Sequence, residues 1–434
     1  MFKYFHQIWQ AEDLRKKIIF TIFLILVFRL AAHLTVPGVD VAALKNIFAK
    51  NQLLGVFSML TGGSLKNFSI VLMGLSPYIN ASIILQLMTV IVPSLEELSK
   101  EGEQGRQKIN QYTRWLTLPL AFLQSYGMIA LLNKSTGVQL IPNISQPEVI
   151  LPIMLTVTAG TFLLVWLGEV ITERGIGNGI SLIIFVSIIS GIPQVFGQTL
   201  GLAQFQSEKL IPFSILVIFT ILMTIFVIIT TEGQRNIPIT YAGRRVVGKG
   251  EESILPIRVN QAGMIPIIFA VSIILFPAVI AQFLQTAESE SIRNFAQFLI
   301  KYLNSGNPGI IYLILYFLLV VAFTYFYVSI TFNPETVAEN IQKRGGFIPG
   351  IRPGRQTAEF LEKVSSRLNL WGGSFLAFVA VSPLIIQKLF SSLYFGSVPL
   401  IITGSGLIIV VGVVLELTRQ INAQLIMHDY EKLY

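Results

Sequence analysis

Four cations surround a turn rich in glycine and proline late in the chain, and they are the side chains best suited to bind another molecule. Lys343 and Arg344 precede the turn, and Arg352 and Arg355 follow its Phe-Ile-Pro-Gly-Ile sequence. A guanidinium group donates paired hydrogen bonds to carboxylates and phosphates. The cluster indicates contact with an acidic protein surface, RNA or anionic lipid. The plainer alternative is that it only orients the chain and touches lipid phosphates.

Three long polar segments interrupt an otherwise apolar sequence. They run from Pro93 to Arg114, from Glu232 to Asn260 and from Asn333 to Leu370. Gly and Pro at the density of the third segment predict a structured, non-helical protrusion. The second alternates like a strand from Ile237 to Val246 and predicts a hairpin ending near Gly248, Lys249 and Gly250. Long loops of this kind are typical of functional sites.

Residues for enzyme chemistry are scattered or absent. The three histidines, His6, His33 and His428, match no zinc motif, and the sequence has no phosphate-binding loop, no nucleophile elbow and no cysteine. Glu169 and Glu416 fall close to the cytoplasmic ends of predicted membrane spans, where solvation by lipid headgroups is the simpler account. We expect no catalytic activity, no metal and no cofactor, so any driving energy must come from another molecule.

The composition predicts an all-α polytopic membrane protein. Of the 434 residues 53% are hydrophobic and 12% are charged, with a mean hydropathy of +0.69, whereas charged residues make up about 25% of a soluble protein. A helix needs about 20 apolar residues to cross the bilayer, and about ten segments qualify. They are 18–36, 70–92, 115–132, 150–171, 180–196, 211–231, 263–284, 310–332, 372–390 and 399–417.

The distribution of basic residues predicts the orientation in the membrane. Most of the 31 Lys and Arg residues lie in segments that share one side with the N-terminus, including all three long polar segments. Because cytoplasmic loops carry an excess of Lys and Arg, we expect both termini in the cytoplasm. No small-residue cleavage site of a signal peptide follows residues 1–17, so we expect the first span to be retained.

Several predicted spans carry polar residues. Gln86 and Thr89 lie in the second span, and Arg29 lies in the first. Polar residues in spans face the interior of a helix bundle or a water-filled path, so a buried pathway is indicated. Arg29 either reaches the interface, pairs with a polar group of a neighbouring helix, or contacts cargo.

The segment Leu53, Leu54, Gly55, Val56, Phe57, Ser58, Met59, Leu60 is apolar but too short to span a membrane. At 1.5 Å per residue a helix of this length reaches only about 12 Å. Irregular backbone at membrane depth must be buried in protein or line water. The segment is therefore either a re-entrant helix in the bundle or an amphipathic helix on the outer surface.

Motifs along nearly the whole chain resemble the SecY family, the channel-forming subunits of the bacterial protein translocase. Each motif is weak alone, but their order is specific. The matching segments are Arg29 to Asp40, Gly74 to Ile83, Lys100 to Arg106, Gln111 to Arg114, Ile171 to Ser181, Asn260 to Pro266 and Gly350 to Gly354. The short ending after Met427 makes any role of a longer cytoplasmic tail doubtful here.

The resemblance implies a clamshell of ten transmembrane helices in two pseudo-symmetric five-helix halves, 1–196 and 197–434. It also implies an hourglass pore with an apolar constriction, a lateral gate and a short re-entrant plug helix at about 53–63. Leu53 to Leu60 would form the plug, and Gly62 and Gly63 would supply its hinge.

Six isoleucines are similar to the family's pore ring. Ile79 and Ile83 are one helical turn apart, as are Ile184 and Ile188, so that each pair shares a helix face. Ile268 and Ile409 would complete the ring. The alternative is ordinary lipid-facing or core isoleucine.

The resemblance also implies a lateral gate, formed by the second and third spans facing the seventh and eighth. Gln86, Thr89, Gln124 and Asn260 are the polar residues expected along it. Such pairs contribute only about 0.6 to 2 kcal/mol each, so a gate closed by them is easily opened.

The expected function is a channel for unfolded preproteins with a signal sequence, with release of membrane segments into the lipid bilayer of the bacterial cytoplasmic membrane. The family implies SecA or the ribosome as the driving partner and SecE and SecG as small subunits. Arg244, Arg245, Lys249, Arg352 and Arg355 are the expected contacts for the driving partner. A secondary transporter of a small solute and a membrane scaffold are the alternatives.

Overall fold

The computed structural model describes most of the chain. The described residues are 7–37, 39, 67–134, 141, 146–205, 210–241, 253–284, 289–303, 309–393 and 403–431. The predicted plug segment 53–60 and the hairpin tip with Arg244, Arg245 and Lys249 lie outside these ranges.

The described residues form thirteen main helices and a small sheet. The helices before the sheet are α1 (Glu12–Ala31), α2 (Ser76–Ile91), α3 (Pro93–Lys100), α4 (Glu103–Lys134), α5 (Pro147–Arg174), α6 (Gly179–Phe205) and α7 (Leu210–Glu232). There follow β1 (Gln234–Tyr241), β2 (Ser253–Arg258), α8 (Ile265–Leu284), α9 (Glu290–Leu303), α10 (Ile310–Thr331), α11 (Pro334–Lys343), β3 (Gly346–Phe347), α12 (Arg355–Leu393) and α13 (Gly404–Glu431).

Each of the ten predicted spans coincides with helix over most of its described part. By length and hydropathy, five helical segments of the described residues qualify as membrane spans, or six if the bent pair α2 and α3 counts as one span. The five are Pro147–Arg174, Phe213–Glu232, Ile310–Lys343, Arg355–Leu389 and Gly404–His428. The chain is thus a helical protein with several apolar helices, as expected.

Two compact units are recognised in the chain. The first comprises Met1–Gln198, Ala278–Gly306 and Val413–Tyr434, and the second comprises Thr199–Pro277 and Asn307–Gly412. The boundary predicted at residues 196 and 197 stays a prediction.

In the first unit, α4 packs against α2 and α5, and α1 packs against α5. The segment 67–75 that precedes α2 is a series of turns rather than helix. The helix of the predicted second span, 70–92, therefore begins only at Ser76, although the apolar run begins at residue 70. Leu34 and Val36 hydrogen-bond with Ile70 and Phe68 of this segment through the backbone at 2.9 Å. Phe68, Val71 and Leu72 are completely buried. The irregular backbone is therefore enclosed by protein.

The segment 93–114 is helical, which corrects the prediction of a long loop. α3 leaves α2 at an angle of 102°, and α4 begins at Glu103. Pro93 at the start of α3 has no amide hydrogen to continue α2, but its fixed φ suits the first turn of a new helix. Gly102, with φ of 79°, forms the turn between α3 and α4.

In the second unit, β1 pairs antiparallel with β2, with Ile237 opposite Leu255. This pairing confirms the predicted hairpin strands. β1 also pairs with the short β3, giving the strand order β2-β1-β3. α12 packs against α10, α11 and α7.

The segment 333–370 is mostly helical, so the prediction of a non-helical protrusion was wrong outside its centre. Asn333 caps α11 by accepting hydrogen bonds from the amides of Glu335 and Thr336. Only Asn333 and residues 344–354 are non-helical. The flanking helices were missed because their apolar residues cover only one narrow face. That face joins a core of Ile237, Ile257, Ala338, Ile348, Ala358, Leu361 and Val364.

Gly160 of α5 gives the first testable prediction. A β-carbon at this position would collide with the backbone carbonyl of Ile70, which belongs to the enclosed segment and has little room to yield. We expect Gly160→Ala to lower the free energy of unfolding by about 1–3 kcal/mol. Thermal unfolding of the detergent-solubilised protein measures this.

Gly191 of α6 provides the matched control, because a β-carbon there would meet open space. Gly191→Ala should be neutral or stabilise by up to about 1 kcal/mol, since alanine is the better helix former. Equal melting temperatures for Gly160→Ala and the unmodified protein would contradict the close approach of α5 to Ile70.

Candidate functional site

The four predicted ring isoleucines of the first unit lie near the starts of α2 and α6. α2 begins at Ser76 with Pro77 in its first turn, directly after the buried irregular segment. Ile79 and Ile83 follow within two turns and share a face. Ile83 is buried and Ile79 is half-buried. The positions of Ile79 and Ile83 depend on where the irregular segment ends and α2 begins.

Hydrogen bonds fix the start of α6. The amide of Gly179 donates to Thr172 Oγ1 at 2.9 Å, and the amide of Ser181 donates to Asn178 Oδ1 at 3.1 Å. These bonds satisfy amides at the helix start that have no partner within the helix. Ile184 and Ile188 then lie one and two turns into α6, half-buried and buried respectively.

The two remaining ring candidates lie on helices that begin in the second unit. Ile268 on α8 is half-buried, and Ile409 on α13 is buried. None of the six candidates is exposed, whereas Ile221 and Ile229 of α7 and Ile310 of α10 are more than half exposed. Ile79, Ile184 and Ile268 keep part of their surface accessible, so the choice between a ring and ordinary lipid-facing or core isoleucines stays open.

A cavity of about 1060 Å³ lies in the first unit, and its lining includes residues of α2 and α6 that are close in sequence to the predicted ring isoleucines. Tyr78 of its lining precedes Ile79 in sequence, and Ile180 lies one turn before Ile184. Most other lining residues are polar or aromatic. They are Gln107, Asn110, Gln111, Arg114, Trp115, Leu118, Phe162, Glu169, Thr172, Glu173 and Asn178. A lining of polar and aromatic side chains suits a water-filled space that can contact both polar and apolar groups.

An ion pair crosses this cavity lining. Arg114 Nε of α4 lies 2.8 Å from Glu169 Oε1 of α5, and both side chains are partly exposed. The prediction that lipid headgroups solvate Glu169 was therefore wrong, because a cation of the neighbouring helix binds it. The charges of the pair cancel, which leaves Glu173 as the remaining charged residue of the lining.

Arg29 pairs with a neighbouring helix, as one of the sequence alternatives predicts. Its Nη1 donates to Ser190 Oγ of α6 at 3.0 Å. Nearby in sequence, Thr21 Oγ1 accepts from the amide of Ile176 at 3.1 Å. Side chains of α1 thus hold both the connection before α6 and α6 itself.

The predicted gate residues Gln86 and Thr89 form hydrogen bonds within their own helix, α2. Gln86 Nε2 donates to Ser82 Oγ at 3.1 Å, and Thr89 Oγ1 donates to the carbonyl of Gln86 at 2.7 Å. Gln124 is half-buried on α4. Their polar atoms are thus placed along these helices, and the gate assignment stays a prediction.

Asn260 lies just before α8 and shapes the turn that leads into it. Its Oδ1 accepts from the amide of Gly263, at 2.9 Å, and the residue is buried. Gly263 has a φ of 65°, a conformation that glycine adopts readily.

α12 holds the same turn from its other side. Ser365 Oγ donates to Gln261 Oε1 at 3.1 Å. A β-carbon at Gly372 would collide with the carbonyl of Val259, so glycine lets α12 approach the backbone closely. The start of α8 is therefore positioned by the helix that follows the basic turn.

The basic residues of the described turn point into solvent. Arg352 lies in the exposed stretch between β3 and α12. Arg355 begins α12, and its Nε donates to Glu359 Oε1 at 3.1 Å. Gly350 and Gly354 have φ values of 82° and 94°, which explains the glycines of this turn. The turn is short and well defined by the sheet on one side and α12 on the other.

Sequence reasoning missed the ion pair of Arg114 and Glu169 and the pairing of β3 with β1. Opposite charges at the cytoplasmic ends of consecutive predicted spans were the available signal for the ion pair. No local signal marks a strand as short as Gly346–Phe347.

Comparisons with known proteins place the chain in a family. The SecY family model matches residues 69–418. The protein translocase subunit SecY of Corynebacterium glutamicum is 39% identical over 442 residues, which cover 98% of each chain. The subunit of the same name from Vibrio cholerae is 39% identical over 431 residues, covering 97% of this chain and 94% of the relative.

Solved structures with a similar fold agree with this placement. A protein-conducting channel matches with a TM-score of 0.64 and 18% identity over 94% of this chain and 91% of the other. Sec61 from a canine ribosome-channel complex of the endoplasmic reticulum matches with a TM-score of 0.60 and 17% identity, with the same coverage. Taken with the full-length relatives, these matches show that the chain belongs to the SecY family of protein translocase subunits.

Proposed function

We propose that this SecY family member passes unfolded secretory polypeptides across the cytoplasmic membrane and releases transmembrane segments laterally into lipid. The observation that carries the proposal is the 39% identity to translocase subunits over 98% of the chain. The family is one of translocation channels rather than enzymes, so a partner supplies the energy. The comparisons give no support to the secondary-transporter alternative.

The proposed architecture has ten spans in two five-helix halves and a plug at 53–60. Helix in the described part of every predicted span supports the span count. Support for the plug comes from residues 67–75, which follow the predicted plug in sequence and form turns with buried side chains. We propose both termini on the cytoplasmic side of a bacterial inner membrane.

The proposed seal is the ring of Ile79, Ile83, Ile184, Ile188, Ile268 and Ile409. A narrow apolar constriction stops ions because water leaves it, so that a hydrated ion has no path. Branched aliphatic side chains bind no particular cargo sequence. Such a ring would close around an extended polypeptide of any composition, whereas a charged ring would select among cargoes.

The polar cavity beside Tyr78 and Ile180 is the proposed cytoplasmic approach to the ring. A translocating segment carries polar backbone groups, which need water or hydrogen-bonding partners until they are enclosed. Since Arg114 and Glu169 neutralise each other at 2.8 Å, Glu173 contributes the remaining negative charge of the lining. One charge in a water-filled approach would exclude a segment of neither sign.

The proposed lateral gate lies along α2 and α4 on one side and α8 and α10 on the other. It rests on the family resemblance, with Gln86, Thr89, Gln124 and Asn260 as its polar residues. α12 contacts the turn before α8, through Ser365 and Gly372. A force applied to the basic turn at the start of α12 therefore has a short path to α8.

The proposed partners of the basic turn are the SecA ATPase and the ribosome, with SecE and SecG as membrane subunits. The exposed guanidinium of Arg352 suits carboxylates of an ATPase or phosphates of ribosomal RNA equally. The similar Sec61 structure was solved in a ribosome-channel complex, which supports the ribosome. Arg355 and, from the sequence, Arg244, Arg245 and Lys249 extend the same proposed contact.

Reconstitution tests the function as a whole. The chain with its small subunits is placed in liposomes with SecA, ATP and a secretory precursor, and the precursor's resistance to added protease is measured. The proposal requires ATP-dependent protection that disappears on detergent lysis. No protection with a correctly inserted complex would overturn it.

The first prediction of this section concerns the seal. Replacing Ile79, Ile83, Ile184 and Ile188 with Ser should produce ion currents through the resting channel, because the constriction becomes wider and wettable. Conductance in planar bilayers measures the effect.

A matched control replaces four isoleucines that lie on the exposed face of α7 with Ser. These are Ile218, Ile221, Ile225 and Ile229. The control should stay silent. Silence of the ring variant, or equal currents from both variants, would place the seal elsewhere.

The second prediction concerns Arg352. We expect Arg352→Glu to abolish SecA-driven transport without affecting membrane insertion, because a charge-assisted contact becomes a repulsion. Precursor transport into vesicles is measured beside Lys363→Glu, which makes the same charge change on the exposed side of α12. Transport at the unmodified rate by Arg352→Glu, or equal loss in both variants, would show that the turn is not the docking site.

The third prediction concerns the ion pair of the cavity. Arg114→Gln and Glu169→Gln should each destabilise the protein, and the double variant should lose less than the sum. A coupling of up to about 1 kcal/mol is expected for partly exposed side chains. A double-mutant cycle of thermal unfolding in low salt measures it, and strictly additive effects would mean that the pair is not formed.

A further inference from the structure

α9 separates its polar and apolar residues almost completely. Glu290, Arg293, Asn294, Gln297 and Lys301 recur at intervals of three and four residues and form one stripe. The opposite side carries the apolar and aromatic residues. These are Ile292, Phe295, Ala296, Phe298, Leu299, Ile300, Tyr302 and Leu303.

The protein covers only part of this apolar side. Ala296 is completely buried and is the one buried residue of α9. Ile292, Phe295 and Phe298 are 42%, 55% and 56% exposed. One edge of the apolar side therefore packs against the protein, and the adjoining strip of large side chains does not. Such a strip would be unfavourable in water, so an apolar environment must cover it.

Short connections to α8 and α10 keep α9 close to the bilayer interface. Five residues separate it from α8, and six separate it from α10. At about 3.3–3.6 Å per extended residue these connections reach roughly 20 Å. α10 belongs to a helical segment that qualifies as a span, and α8 coincides with the predicted seventh span. Both ends of α9 are thus tethered within reach of the same bilayer interface.

The chemistry of α9 fits a phospholipid surface. Aromatic residues favour the interface between lipid tails and water, and the rings of Phe298 and Tyr302 are in contact, tilted by 56° with centroids 4.6 Å apart. The polar stripe has two cations, Arg293 and Lys301, and one anion, Glu290. Lys301 Nζ lies 5.8 Å from the centre of the Tyr302 ring. A cation held over an aromatic ring at the interface is suited to contact a lipid phosphate above the acyl chains.

We propose that α9 is an interfacial helix that inserts Ile292, Phe295 and Phe298 into the outer leaflet and turns Arg293 and Lys301 to anionic phospholipid headgroups. The assignment to the outer leaflet rests on the orientation given under the proposed function. Because α9 follows α8 after five residues, the lipid surface would restrain the outer end of α8. The proposed gate helix would then be attached to the bilayer as well as to the protein.

Site-specific fluorescence tests the insertion. Since the chain contains no cysteine, Phe295→Cys, Phe298→Cys and Gln297→Cys each carry a single environment-sensitive label. The complete complex is reconstituted in phosphatidylglycerol-containing nanodiscs with or without lipids that carry a quencher on their acyl chains. Size-exclusion chromatography confirms that each labelled variant is assembled, and Ile292→Cys substitutes for a variant that is not.

Labels at 295 and 298 should lose at least about twice as much fluorescence to the lipid quencher as the label at 297, because the apolar side of an interfacial helix lies among the acyl chains. Iodide in the solvent should quench mainly the label at 297. Equal iodide quenching at all three positions would place α9 in water. Labels at 295 and 298 protected from both quenchers would mean that a protein covers the strip; either result overturns the proposal.

The charge of the lipid provides the second arm. Replacing phosphatidylglycerol with phosphatidylcholine, or introducing Lys301→Glu, should reduce the lipid quenching at 298, whereas equal quenching in all cases would overturn the headgroup contact. The measurement needs neither a motor nor a precursor. Failed transport with intact quenching would thus count against the channel proposal alone.

Discussion

The bilayer offers no hydrogen-bonding partner to a peptide group, and this constraint governs the architecture. Irregular backbone is tolerated only where protein encloses it, and the segment 67–75 is enclosed in this way. Its Phe68, Val71 and Leu72 are completely buried, and its backbone pairs with that of Leu34 and Val36. Since α2 begins where this segment ends, the enclosed turns decide how deep Ile79 and Ile83 lie.

A protein-conducting channel must meet two opposing demands, and the chain assigns them to neighbouring residues. The seal needs side chains that repel water, and the approach to it needs groups that tolerate water and charge. On α2, Tyr78 of the polar cavity directly precedes Ile79 of the proposed ring, and on α6 Ile180 lies one turn before Ile184. The cavity lining and the proposed ring are therefore adjacent in sequence on α2 and about one helical turn, roughly 5 Å, apart on α6. A short seal is easier to open than a long one.

The sequence predicted those features that depend on local pattern. Long apolar runs located apolar helices, and alternation located β1, because both signals arise from burial of one element. The helices at 93–100 and 334–343 were missed, since their polar composition and flanking Gly and Pro resemble loops. The contacts of Arg114 with Glu169 and of β3 with β1 join distant residues and follow from packing. At the candidate site, the sequence identified isoleucines that prove to be unexposed, but it did not identify the cavity beside them.

Direct contact of a moving polypeptide with the proposed ring is the central claim. A secretory precursor is arrested halfway by a folded domain at its C-terminus, and a photoreactive amino acid is placed at Ile83, at Ile188 or at the exposed Leu222 of α7. The account predicts crosslinks to the precursor from positions 83 and 188, and only lipid adducts from position 222. Crosslinks from position 222 with none from 83 or 188 would contradict it, because the polypeptide would then cross the membrane outside the ring.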